Sequence, residues 1–454
     1  MIIMDNNIFC ISPIDGRYNK YTNPLREYFS EFALFKYRLM FEIEYLLFLK
    51  NKVDLPELVS FPANNLFIKN IYKKFSKVDC LEIKNIESKI NHDVKAVEYY
   101  IGDELEKLNL SNFKSFIHFG LTSQDINNNS ITLSIKNCIE DIFIPLFENI
   151  LDDLLDKSLN WVKFKMISHT HGQPAVPTTI GKEIKVFHYR IKKQLDQLKN
   201  IDYYGKLGGA SGNLNAHYVS YPEYNWESLM ENFLLQFSLK RNKFTTQIDN
   251  YENLSVVFDN LRRINTIFID MNKDIWQYIS MNYMTQVFDK NEVGSSTMPH
   301  KINPINFENS EGNLLLGNSL LDFMSNKLPV SRLQRDLTDS TVLRSVGSIF
   351  GYMIVAYENF RKGFSKLDIN GVELKNDLDS NCVVIVEGIQ TILRKYGIEN
   401  AYELCKDLSR NNDCINMNKI KDFIERLPVD EKIKKKLYEI DVENYIGNSE
   451  KIDL

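Results

Sequence analysis

LSVVFDNLRRINTIFIDMNKDIWQY, residues 254–278, decides the fold class. Its apolar residues Leu254, Val257, Phe258, Leu261, Ile264, Phe268, Met271, Ile275 and Tyr278 step by three and four, the spacing that lines one face of an α-helix. At 1.5 Å per residue the run makes one helix roughly 40 Å long, well beyond the average globular helix. Two further series have the same character: Ile142, Leu146, Ile150 and Leu154, then Ile184, Phe187, Ile191, Leu195 and Leu198. Three long amphipathic helices imply a bundle.

Glycine and proline break this pattern near residues 168–181, 205–213, 220–222 and 294–304. Continuous strands are scarce, no internal repeat or low-complexity linker is present, and the expected fold is all-α. The expected division is an N-terminal helical domain over 1–110, a long-helix bundle over 111–365 and a C-terminal helical domain over 366–454.

Composition excludes several classes. The 454 residues are 44% hydrophobic and 25% charged, which suits a globular chain with ample core and argues against disorder. A net charge of -5 with dispersed basic residues leaves no nucleic-acid footprint. The most apolar long window, FALFKYRLMFEIEYLLFL at 32–49, is interrupted by Lys36, Arg38, Glu42 and Glu44, so it reads as an amphipathic helix and not a membrane span. The N-terminal MIIMDNNIFC lacks the basic and apolar regions of a secretory signal. The six cysteines show no C-x-x-C and no histidine at zinc spacing, as expected of reduced thiols in a cytosolic protein that binds no metal.

The polar residues gather at the breaks. SHTHGQPAVPTTIGKE, 168–183, puts His169 and His171 two apart in a Gly/Pro-rich approach to the third helix. His169 reads as structural. His171 has Thr170, Gln173, Thr178 and Thr179 around it as hydrogen-bonding groups at a helix start. In HFGLTSQDINNNS, 118–130, Thr122 and Ser123 stand before a helix. They serve either as an N-cap or as a carboxylate site, since free N–H groups and hydroxyls at a helix N-terminus suit an anion. GSSTMPHKINP, 294–304, holds two prolines, a glycine, Ser295, Ser296 and Lys301, and can only be a loop.

This loop resembles the signature loop of the fumarase and aspartase superfamily, whose members release fumarate by β-elimination. LTSQD at 121–125 and HTHGQPAVPTTIGKE at 169–183 resemble the superfamily's other two motif regions. HGQPAVPTT is similar to the adenylosuccinate lyase family, where fumarases and argininosuccinate lyases usually read HLQ. SPIDGRY (12–18), NHDVKAVEYY (91–100), TTQID (245–249) and RDLTDSTVLRSVG (335–347) also resemble the bacterial type of that family. GGASGN at 208–213 departs from the usual GAVGN, with Ser211 affecting packing more than chemistry.

The resemblance implies a three-domain helical chain, a cytoplasmic homotetramer with active sites shared between subunits, and small nucleotide substrates with no cofactor, metal, nucleic acid or membrane. It implies cleavage of adenylosuccinate to AMP, and of the succinylated aminoimidazole carboxamide ribotide of purine biosynthesis. The alternatives are another fumarate-releasing lyase, such as argininosuccinate lyase, or a non-catalytic protein retaining the fold. The match makes Ser295 the base, His171 the acid and Glu308 the partner of that histidine. A serine is a poor base, so it needs desolvation and a cation such as Lys301. Imidazole is suited to an acid because it ordinarily titrates near neutrality.

Lys301, Asn303, Thr122 and Ser123 are the donors for the dianionic carboxylate formed on proton removal. The leaving group carries a phosphate, and neither a P-loop nor G-x-G-x-x-G is present. Arg335, Ser340 and Arg344 suit it, the last two lying one helical turn apart. Arg17 and Tyr18 match the family's nucleotide pair, and Asn91, His92, Asp93, Gln247, Ser296 and Asn309 complete the substrate contacts by position.

Overall fold

A computed structural model describes residues 7–62, 66–287, 298, 301–410 and 415–452. In chain order, the elements that bear on function begin with helices α1 (Glu31–Phe48), α2 (Lys77–Ile90), α3 (Asp93–Lys107), α4 (Ser123–Cys138) and α5 (Ile144–Trp161). Strands β1 (Lys165–Thr170) and β2 (Gln173–Thr179) follow. Helices α6 (Ile180–Lys199), α7 (Glu252–Ser280), α8 (Ile305–Lys327), α9 (Thr338–Leu343) and α10 (Val346–Ser365) complete the set. The fold is all-α; among the described residues the only sheets are three two-stranded ribbons.

The periodic series lie where the helical spacing puts them. In α7 the predicted positions from Leu254 to Ile275 are buried, Val256 between them is exposed, and Tyr278 is half-buried. In α6 all five predicted positions are buried. The series opened by Ile142 differs at its start, because Ile142 lies in a π-helical turn, Ile139–Phe143, that precedes α5. The wider turn shifts the phase by a residue, so Phe143 takes the core position and Ile142 is half-buried.

The approach to α6 departs from the expectation of a helix start around His171. Residues 165–179 form an antiparallel β-hairpin, with Thr170 opposite Gln173 and a register irregularity between Ile167 and His169. Pro174 and Pro177 are tolerated in β2 because a two-stranded ribbon leaves an edge that needs no N–H donor. The hairpin turn is His171–Gly172, with φ of 54° and 72°. Positive φ at both central residues is what a two-residue type I′ turn requires. Helix α6 begins nine residues beyond His171, where the Thr179 hydroxyl accepts from Lys182 N–H at 3.2 Å.

The chain forms two compact units, and their boundaries fall inside long helices. The first comprises 1–146, 194–266 and 312–358. Its core includes an aromatic cluster in which Phe233 meets Tyr45 and Phe48 at centroid distances of 5.4 and 5.3 Å. The second comprises 147–193, 267–311 and 359–454. There Phe268 packs edge-on against Phe360, which stacks on Phe364. A separate cluster of Ile389, Leu393, Ile420, Ile424 and Leu437 closes over Ile167 of β1.

Candidate active site

The first unit holds a cavity of about 370 Å³ lined by residues from α1, α2, α3, α4 and α9 and the segments flanking them. Its construction starts at the corner between α2 and α3. Asn91 ends α2 in the left-handed conformation, φ 55°, and His92 caps α3 by accepting Lys95 N–H on Nδ1 at 3.1 Å. Asn tolerates that conformation better than most residues, so the chain reverses within two residues and puts Asp93 in the first turn of α3.

Asp93 Oδ2 accepts from two guanidiniums, Arg38 at 2.8 Å and Arg344 at 3.0 Å. Burial pushes this carboxyl up, but the Arg38 charge and hydrogen bond, Val94 N–H and the Arg344 charge together hold it below the usual range. Arg38 is nearly buried and also donates to Asn127 Oδ1 at 2.8 Å.

The opposite wall is built on α4 and α9. Ser340 Oγ accepts from Gln124 Nε2 at 2.9 Å and from Arg335 Nη2 at 3.4 Å. Arg335 Nη1 donates to Gln247 Oε1 at 3.1 Å, and Gln247 Nε2 donates to Ala210 O at 3.1 Å. Arg335 Nε is buried with no hydrogen-bond partner among the described residues. The cavity lining carries three guanidiniums, on Arg38, Arg335 and Arg344, against the carboxylates of Glu87 and Asp93. That surplus of positive charge suits an anion.

Beneath this wall lies a fully buried ion pair. Asp125 accepts from Lys206 Nζ at 2.7 Å, Thr122 N–H at 2.7 Å, Gly208 N–H at 2.8 Å and Gly209 N–H at 3.1 Å. Burial raises the Asp125 carboxyl, yet the Lys206 ammonium and the backbone donors bring it below the ordinary value. The pair fastens the GGASGN loop to the first turn of α4. Gly212, at φ 83°, abuts Thr245 so closely that a Cβ would stand 2.1 Å from its carbonyl oxygen.

The structure thus brings Asn91, His92, Asp93, Ser123, Arg335, Ser340 and Arg344 to one cavity, with Gln247 bonded to Arg335. Thr122 heads α4, its hydroxyl 3.2 Å from Asp125 Oδ2. Arg17 is exposed and Tyr18 half-buried in the turn before a short helical turn, Asn19–Thr22.

In the second unit His171 is exposed at the hairpin tip. Thr178 and Thr179, expected beside it, are engaged elsewhere: Thr178 Oγ1 donates to Glu183 at 3.0 Å, and Thr179 Oγ1 donates to Ser449 O at 3.0 Å. Lys301 is exposed, Asn303 and Asn309 are half-buried, and Glu308 Oε1 accepts from Trp276 Nε1 at 3.1 Å. Ser295 and Ser296 lie outside the described residues.

Sequence reasoning missed Arg38, Glu87, Gln124 and Asn127 as cavity residues. Arg38 left a signal: a cation in an otherwise apolar helical window must find a partner. Gln124 left none, since its partner is 216 positions away.

A lyase family model matches residues 16–316, and the model of the adenylosuccinate lyase C-terminal region matches 331–446. Adenylosuccinate lyase from Dictyostelium discoideum is 48% identical over 452 residues, covering 97% of each chain. The chain belongs to the adenylosuccinate lyase family. The adenylosuccinate lyase of Buchnera aphidicola subsp. Schizaphis graminum is 45% identical, with 98% of each chain covered. A fumarate lyase from Mesorhizobium shares the fold, with a TM-score of 0.73 at 14% identity over 95% of this chain and 96% of that one. As an adenylosuccinate lyase family member the chain is a lyase, and all its cavity residues fall within the two matched regions, as do Arg17 and Tyr18 at the N-terminal edge of the first.

Proposed function

We propose that the chain cleaves adenylosuccinate to fumarate and AMP, and the succinylated aminoimidazole carboxamide ribotide in the same way. In this reading a base removes a proton from the succinyl carbon next to one carboxylate. The electron pair forms the fumarate double bond, the C–N bond breaks, and an acid protonates the departing nitrogen. The observation that carries the substrate assignment is the cavity with Arg335, Ser340 and Arg344 on one side. A phosphate monoester matches its donors, while argininosuccinate has no phosphate to fill them.

Ser295 is the proposed base, His171 the acid and Glu308 its partner, with Lys301 and Asn303 stabilising the dianion. Thr122 and Ser123 complete the carboxylate site at the head of α4. Arg17, Tyr18, Asn91, His92, Asp93, Gln247, Ser296 and Asn309 complete the substrate contacts. The active enzyme is a cytoplasmic homotetramer in which subunits share each site. Two features support sharing. Helix α8 buries Leu314, Leu321 and Met324 yet leaves Leu315, Leu316 and Phe323 about half exposed, so it is apolar on faces that one chain does not cover. His171 stands exposed on a hairpin tip, where an acid must be desolvated to act on a bound substrate.

Incubation with adenylosuccinate while following fumarate and AMP tests the activity, with argininosuccinate as the competing substrate. Turnover of argininosuccinate alone would sink the reading. For the phosphate site, Arg344→Ala should lower kcat/KM by about 1.5–3 kcal/mol on adenylosuccinate. The loss on the dephosphorylated succinyl-nucleoside should be much smaller; equal losses on both would remove the phosphate from this cavity.

A further inference from the structure

Gln124 is 1% exposed, yet it lines the cavity and donates to the Ser340 hydroxyl at 2.9 Å. The second donor to that oxygen is Arg335 Nη2 at 3.4 Å. A serine hydroxyl has two lone pairs and one proton. With the Gln124 N–H at close range and the Arg335 N–H at long range both facing this oxygen, the proton is what is left to offer. Within the chain it meets Asp339 Oδ1 at 3.5 Å, the outer limit of a hydrogen bond. Asp339 is itself engaged through Oδ2 by the Tyr251 phenol at 2.9 Å.

We propose that Gln124 is a positioning residue that turns Ser340 into a committed donor and so selects a phosphate monoester over the corresponding nucleoside. Phosphate oxygens accept and do not donate when ionised, so they match a hydroxyl in this state; water or a sugar hydroxyl can take either role. Gln124 can hold the direction because its own backbone is fixed. The next residue, Asp125, is clamped by Lys206 and by the N–H groups of Thr122, Gly208 and Gly209. The other side of Ser340 is tied through Arg335 and Gln247 to Ala210 of the same glycine loop. The donors around Ser340 therefore belong to one closed frame, and the hydroxyl is oriented before any ligand arrives. The inference rests on the reading that this cavity holds the nucleotide phosphate.

The test is calorimetric binding of AMP and of adenosine to the full-length protein, which reads the phosphate preference without turnover. Gln124→Met keeps the length and removes the amide. It should reduce the AMP-over-adenosine preference by about threefold to tenfold, the worth of one ordinary hydrogen bond, and leave adenosine binding unchanged. In a Ser340→Ala background the same change should have no further effect on the preference. Gln124→Glu, of the same size, gives Ser340 an acceptor in place of a donor and should lose more; it also serves if the methionine variant fails to fold. A preference that is unchanged or strengthened in Gln124→Met overturns the proposal, because it would mean that Ser340 had been donating to the amide. If the native protein binds AMP and adenosine alike, the phosphate reading itself fails.

Discussion

Asp93 shows how one carboxylate organises the cavity. It holds the buried Arg38 on one side and the exposed Arg344 on the other, so without ligand the outer guanidinium already has a partner. An incoming phosphate competes for Arg344 with Asp93 instead of with water, while Arg38 stays to neutralise the carboxylate. His217 shows the opposite electrostatics. It is fully buried, bonded to Tyr45 OH at 2.8 Å, and burial, opposed by Asp125 and aided by Lys206, pushes its imidazole down to about 4. An unfolded histidine titrates near 6.5. As pH falls between those values the unfolded chain takes up a proton that the folded chain refuses, so stability is lost on acidification across that window. The loss is about 3 kcal/mol at 1.36 kcal/mol per pKa unit. His217→Gln, uncharged throughout, should remove this part of the slope when denaturant unfolding is compared at pH 7 and near pH 4. Parallel slopes in the two proteins would show that His217 does not titrate this way. His118 acts in the other sense: burial lowers it, but the Glu42 carboxylate 2.6 Å away outweighs that and raises it. Its contribution is present below pH 6.5 and fades as pH rises through the folded value, so the two histidines report on separate windows.

At the scale of elements, legibility followed the range of the forces. Helix α7 was readable because its apolar period repeats within one segment and is satisfied by any core that covers one face. The hairpin at 165–179 was not. Two prolines in β2 argue against a strand, and only the pairing with β1 makes them acceptable. The cavity motifs are visible as polar residues at breaks, yet in the sequence Arg38 signals only a charge that forbids a membrane span. Its bonds to Asp93 and Asn127 join segments 55 and 89 residues apart. The hairpin also shapes the best test of its own residue. His171 occupies a position that needs positive φ, so His171→Ala would strain the turn as well as delete the imidazole. His171→Asn gives Asn-Gly, the dipeptide that type I′ turns favour most. It should leave the melting temperature near native while kcat falls by at least about a hundredfold, the lower end of general acid catalysis. Retained activity in a folded asparagine variant would remove His171 as the proposed acid.

For the whole molecule, the all-α class follows from periodicity, whereas the proposed sharing of sites rests on surfaces that only folding reveals. Leu315, Leu316 and Phe323 lie on the same helix as the buried Leu314 and Leu321, and nothing in their spacing says which face a second chain covers. The proposal is open to a functional count. If the acid and the base of each site come from different subunits, tetramers of His171→Asn alone or Ser295→Ala alone have no intact site. In an equimolar, fully exchanged mixture, the subunit giving the acid is native at that position half the time, and so, independently, is the subunit giving the base. About a quarter of the sites should then hold both native residues, and activity should return to roughly a quarter of the native value. Exchange is verified with differently tagged chains, by co-purification of the two variants before assay. Should the co-purified hybrids stay as inactive as their parents, acid and base belong to the same chain or one of the two residues has been misassigned. Testing each variant against Lys301→Met separates these cases, since a base drawn from the 294–304 loop must share a subunit with Lys301 and cannot complement it.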